Sequence, residues 1–176
     1  MSDQALKDML KRALEMEDRG YRFYIDASRK VENSVTKNTF EFLAKNEAMH
    51  IKNIEYFYKN MAKEGDFPEF SLGESGEKMD KDLDIFAKSI KELKEKIKPS
   101  DADKEALEFA MDFENAGYAY YKKFLEDSSD DKLDKLLKFL LSEEDKHCKA
   151  LREIYTYITD SANWYMYEEG SFPQGG

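Results

Sequence analysis

One doubled pattern constrains this chain more than anything else in it. The two histidines, His50 and His147, each follow a glutamate by three residues, in Glu47-Ala-Met-His50 and Glu144-Asp-Lys-His147. A further glutamate precedes each histidine by one constant interval: Glu17 before His50 and Glu114 before His147. The two copies are offset by 97 residues throughout (114 − 17 = 144 − 47 = 147 − 50 = 97). Glu and His at i and i+3 lie on one helix face, about one turn apart. Two such units with two more carboxylates, on four helices, form the donor set of a two-metal carboxylate site. A chain built this way has to bring four helices round one interior point.

The repeat extends beyond those six residues. Ala13 to Tyr24 aligns with Ala110 to Tyr121, Phe42-Leu43 with Phe139-Leu140, and Tyr58 with Tyr155. Apolar residues at three-and-four spacing predict helices over about Ser2–Val31, Ser34–Lys63, Met79–Ile97, the stretch after Pro99-Ser100 to about Asp127, and Ser129 or Asp130 to Thr159. The inward stripes are expected to include Ala13, Tyr21, Tyr24 and Tyr58, with Ala110, Tyr118 and Tyr121 in the second copy. Ser100 is placed to cap its helix, and Asp101 and Asp103 to complement the dipole. Short connections near Glu32-Asn33 and Ser128-Ser129 make each half an antiparallel hairpin. Gly65, Pro68, Gly73 and Gly76 mark the break between the halves. Residues 1–160 therefore read as one bundle with a crossover over 64–98. Residues 161–176 read as a C-terminal segment, in which Trp164-Tyr165-Met166-Tyr167 either caps the bundle end, the favoured reading, or forms a dimer contact, before an extended or mobile tail.

Composition narrows the function classes. The net charge of −10 argues against a nucleic-acid surface and suits attraction of cations. Apolar runs fall short of membrane-spanning length. Met1-Ser2-Asp3-Gln4 lacks the basic and apolar regions of a signal peptide. The single Cys148 permits no internal disulfide and no four-cysteine metal module within this chain, which fits a reducing, cytoplasmic setting.

The candidate ligands are Glu17, Glu47, His50, Glu114, Glu144 and His147. Four carboxylates converging in a core are prohibitively costly unless cations pair with them. Four carboxylates and two neutral imidazoles balance two divalent ions. Oxygen and nitrogen donors without thiolate favour Fe or Mn over a structural zinc site, although Zn can occupy such a site. Tyr24 and Tyr121 stand two turns beyond Glu17 and Glu114, so they read either as supports whose hydroxyls reach a ligand carboxylate of the opposite hairpin or as core tyrosines satisfied by any polar group. Gly20 and Gly117 either leave room for a small molecule or let helices pack closely, and packing is the favoured reading. Glu15, Asp112 and Glu143 read as solvated, and Cys148 as a packing residue.

With Glu17, Glu47-x-x-His50, Glu114, Glu144-x-x-His147 and the Gly20-Tyr21-x-Phe23-Tyr24 motif in view, residues from about Ala5 to Ile158 resemble the ferritin-like diiron-carboxylate proteins, in their rubrerythrin branch. The resemblance implies an all-α fold: a ferritin-like four-helix bundle whose long crossover contains a short extra helix. It implies a nonheme diiron site acting on hydrogen peroxide or dioxygen, in an oxidoreductase of the oxidative-stress type. Relatives often receive electrons through a fused rubredoxin domain. Here the rubredoxin cysteines are missing, so the donor is expected to be a separate protein such as a rubredoxin. Typical members also carry an extra glutamate three residues after the fourth-helix ligand, where this chain has Gly117, so its ligand set is closer to a six-residue site. A homodimer without nucleic-acid or membrane partners is expected. The alternatives are iron oxidation and storage, or a metal-binding bundle acting as a sensor or partner-binding protein.

Overall fold

The computed structural model describes residues 3–61 and 100–160. Four long helices are present among them: α1 (Asp3–Ser28), α2 (Ser34–Asn60), α3 (Asp101–Glu126) and α4 (Asp131–Thr159). The expected short helix over Met79–Ile97, the crossover 64–98 and the aromatic segment 161–176 lie outside the described residues.

Local chemistry sets the helix starts. Asn33 caps α2 by accepting from the N–H groups of Val35 (2.9 Å) and Thr36 (3.2 Å). Asp130 caps α4 through Lys132 (2.8 Å) and Leu133 (3.1 Å). Ser100 caps α3 in a reciprocal box with Asp103. Asp103 does more than complement a dipole. It is buried, and its Oδ1 also accepts the N–H groups of Glu32 and Asn33, both at 3.2 Å, in the turn between α1 and α2. One carboxylate thus fastens the first hairpin's turn to the start of the second hairpin. The first helix ends at Ser28 rather than near Val31, because the chain turns at Arg29-Lys30 to reach the Asn33 cap.

Two apolar clusters fix the topology. One joins Tyr24 and Ala27 of α1, Phe40 and Leu43 of α2, Leu107 and Ala110 of α3, and Leu151 and Ile154 of α4. The other joins Met9 and Leu10, Ile54 and Phe57, Tyr121, and Leu133 to Leu140. The end of α1 therefore packs beside the start of α2, and the start of α3 beside the end of α4. Each hairpin is antiparallel, and α1 runs antiparallel to α3. The two hairpins are related by a pseudo-twofold axis crossing the bundle between the clusters. Each cluster buries apolar surface at about 25 cal/mol per Å², and polar residues are held in the layer between them. No helix among the described residues is long and apolar enough to cross a membrane.

Three tyrosines depart from the sequence expectation. Tyr21 (37%), Tyr118 (38%) and Tyr58 (45%) are exposed rather than part of the inward stripes. Tyr21 and Tyr118 follow Gly20 and Gly117, which occupy the inward direction and displace the next residue to the seam, where a phenol can keep its hydroxyl in water.

Candidate metal centre

The layer between the clusters holds all six candidate ligands, one glutamate or one Glu-x-x-His unit from each helix. His50 and His147 are at most 1% exposed, and Glu17, Glu47, Glu114 and Glu144 at most 3%. The imidazoles stack with centroids 5.4 Å apart and planes 20° from parallel. Both present Nδ1 to the carboxylates. Glu17 Oε2 lies 3.0 Å from His50 Nδ1, and Glu114 Oε2 lies 3.3 Å from His147 Nδ1. The other two glutamates serve both rings. Glu47 places Oε2 at 3.7 Å from His50 Nδ1 and Oε1 at 3.5 Å from His147 Nδ1. Glu144 places Oε1 at 3.9 Å from His50 Nδ1 and Oε2 at 3.9 Å from His147 Nδ1.

The electrostatics are those of too many carboxylates in too little solvent. Burial, and then the charge of Glu17, hold the Glu47 carboxyl well above its ordinary range. Burial, and then Glu114, do the same to Glu144. Burial alone would push His50 down, but the negative charge of Glu17 and then Glu47 lifts it well above 6.5. For Glu17 burial works upward, yet hydrogen bonds from Glu47 and the charge of His50 bring it below 4.5. Glu114 is likewise opposed by burial and brought down to about 2, chiefly by His147 and a hydrogen bond from Glu144. Burial and mutual charge thus set Glu17 and Glu114, whose carboxyls are lowered, apart from Glu47 and Glu144, whose carboxyls are raised.

Two tyrosines brace this set across the hairpins. Tyr24 of α1 donates its hydroxyl to Glu114 Oε1 on α3, and Tyr121 of α3 donates to Glu17 Oε1 on α1. Both rings are fully buried. Burial, and then the charge of the bonded glutamate, keep both phenols well above 10, so they remain donors.

A profile of the rubrerythrin family matches residues 8–155. The chain belongs to the rubrerythrin family. Searches of curated proteins and of solved structures return no match. Family membership makes this a ferritin-like, all-α bundle of the diiron class, and groups of carboxylate and imidazole donors suited to a metal ion sit in its interior.

The remaining residues fall on both sides of the sequence reading. Glu15 and Asp112 are exposed as expected. Cys148 is buried and directed to Asn115 Oδ1 at 3.5 Å, and burial followed by the charge of Glu114 pushes its thiol up to about 11. It stays a packing residue. Gly20 holds close packing, since a Cβ there would meet Phe113 Cε1 at 2.7 Å. At Gly117 a Cβ would rest 3.4 Å from the Glu144 carboxylate. Glu143 contradicts the solvated reading. It is 3% exposed, and it groups with His50 and His147. Asn46 was missed entirely; it is buried with Nδ2 at 3.3 Å from His147 Nε2. The 97-residue offset could have found both, because it superposes Asn46 on Glu143 (143 − 46 = 97), each one residue before a candidate ligand.

Proposed function

We propose that this rubrerythrin-family bundle holds two iron ions and acts as an oxidoreductase, reducing hydrogen peroxide or dioxygen with electrons from a separate carrier protein. The observation that carries this reading is the way Glu47 and Glu144 each turn one oxygen toward each histidine. In this reading Glu17, Glu47, Glu114 and Glu144, with His50 and His147, would hold the pair. The protein atoms fit such a pair. Glu47 Oε1 is buried without a hydrogen-bond partner, and the excess carboxylate charge that raises Glu47 and Glu144 is what two divalent ions neutralise.

Iron bound there would supply one electron per ion and Lewis acidity toward the oxidant. The protein's part is positioning and exclusion. Tyr24 and Tyr121 fix the orientation of Glu114 and Glu17. The two apolar clusters keep bulk water from the layer between them. With the ions bound, Glu47 and Glu144 would be ionised ligands, so the protons that the reduction consumes would come from solvent. Reduction of peroxide to two waters takes two electrons and two protons. In this reading those electrons would come from a one-electron donor such as a rubredoxin. A homodimer completes the reading.

The test loads the protein anaerobically with ferrous iron, measures metal per chain, and adds peroxide in a stopped-flow instrument. Two irons per chain, near-ultraviolet charge-transfer absorption on oxidation, and one peroxide consumed per pair of irons are expected. Two irons that do not oxidise with peroxide or dioxygen would remove the oxidoreductase reading, and fewer than two would remove the dimetal one.

A further inference from the structure

The pseudo-twofold symmetry breaks beside the centre. Asn46 and Glu143 occupy equivalent positions, and both are buried, at 6% and 3% exposure. Asn46 reaches from α2 to Nε2 of His147 on α4, at 3.3 Å. Glu143 lies on α4, and one of its oxygens falls within 4.8 Å of a ring nitrogen of His50 on α2 and of one of His147. Its Oε1 pairs with Lys146 Nζ at 2.9 Å, whereas its Oε2 is buried without a hydrogen-bond partner. His50 Nε2 is also buried without a partner.

Chemistry joins these two orphaned atoms. Both rings turn Nδ1 to the carboxylates. A ring that ligates through Nδ1 carries its proton on Nε2, and that N–H requires an acceptor. For His147 the acceptor at hand is the Asn46 amide, whose oxygen and nitrogen ends exchange by a flip. For His50 it is the Glu143 carboxylate, reached by a small side-chain rotation or through one water. The two acceptors differ by a full negative charge. Lys146 offsets that charge only in part, since its side chain is 37% exposed and its ammonium stays solvated. A carboxylate accepting from imidazole makes the opposite ring nitrogen a stronger donor than an amide does.

We infer that Glu143 is a positioning residue acting through His50, and that the Asn46/Glu143 difference makes the two halves of the centre unequal, so that the Glu17–His50 half takes the first divalent cation. This rests on the dimetal reading above.

The experiment uses full-length protein labelled with ¹⁵N-histidine, titrated with Zn²⁺ and followed by NMR, with calorimetry alongside. With two histidines in the chain, each ring reports one half, and assignment comes from a His50→Gln variant. The His50 ring should move at one equivalent and the His147 ring at the second. Glu143→Gln should weaken the first equivalent by about 10–100-fold and make both rings move together. Asn46→Asp, which supplies the missing carboxylate to the other half, should equalise them from the opposite side, and it keeps the test decisive should Glu143→Gln not fold. Rings that move together in the parent protein, His147 moving first, or variants that leave the order unchanged would overturn the inference. So would a third equivalent lost on Glu143→Gln, because Glu143 would then be a ligand itself. Fewer than two equivalents, or no ring response, would instead strike the dimetal reading.

Discussion

Replacing Tyr24 by Phe removes one hydroxyl from a fully buried ring and leaves the apolar packing in place. The lost contact is a phenol donating to an ionised carboxylate, Glu114 Oε1. Hydrogen bonds to charged groups contribute about 1.5–3 kcal/mol, and here the surviving oxygen is left buried without a donor. Glu114 keeps His147 Nδ1 at 3.3 Å on its other oxygen, so a loss of about 2 kcal/mol is expected rather than the larger figure for a stranded charge. The pH dependence follows from Glu114 standing at about 2 against an ordinary 4.5. A carboxyl lowered on folding stabilises the fold above its unfolded value and ceases to do so as pH falls through the folded one. The Tyr24→Phe deficit should therefore be complete at pH 7 and shrink as pH drops from 4.5 toward 2. Tyr121→Phe should behave alike through Glu17, whose carboxyl is also lowered. Urea unfolding of chelator-treated protein measures both, with an unchanged m-value as the sign that stability alone has moved. Deficits below about 0.5 kcal/mol in both variants, the range of ordinary surface changes, would refute the idea that these phenols brace the centre across the hairpins.

Two further outcomes are expected. Asp103→Ala should cost about 3–5 kcal/mol in the same unfolding assay, because it orphans the N–H groups of Glu32 and Asn33 and removes the Ser100 contacts at 2.9 and 2.8 Å; Asp103→Asn, which retains one acceptor, should cost less. Glu47→Gln should stabilise chelator-treated protein at neutral and higher pH while weakening cation binding. The Glu47 carboxyl is raised by burial and then by Glu17, so its contribution is intact below the ordinary 4.5 and is lost as pH rises through the elevated folded value; a gap in Tm that fails to widen between pH 5 and 9 would refute this.

Much of this architecture was legible because burying charge leaves a trace in sequence. Glu17 and Glu114 stand on apolar stripes where a carboxylate is unfavourable unless something neutralises it, and the two Glu-x-x-His units repeat at the same offset as those stripes. The start of α3 was legible where Ser100 could cap it, since capping depends on neighbouring backbone alone. What the sequence concealed depends on how wide the interior is. A single inward stripe puts residue 143 about 100° away from 144, on the solvent side, yet both are buried. A layer that must enclose four carboxylates and two imidazoles also takes in the residue before each Glu-x-x-His unit, Asn46 and Glu143. Asp103 was concealed for a related reason, because its second pair of partners lies 70 residues away in another turn.

The same width explains why symmetry of sequence does not guarantee symmetry of chemistry. The two hairpins superpose at every ligand and at both bracing tyrosines, positions where the donor geometry admits little choice. At the next layer out, an amide and a carboxylate satisfy the same steric position and both can accept from an imidazole N–H. The exchange of Asn46 for Glu143 therefore keeps an acceptor beside each ring and changes the electric field there. A duplicated bundle can differentiate its two halves at that layer without disturbing the ligands, and the position one residue before each Glu-x-x-His is where this chain does so.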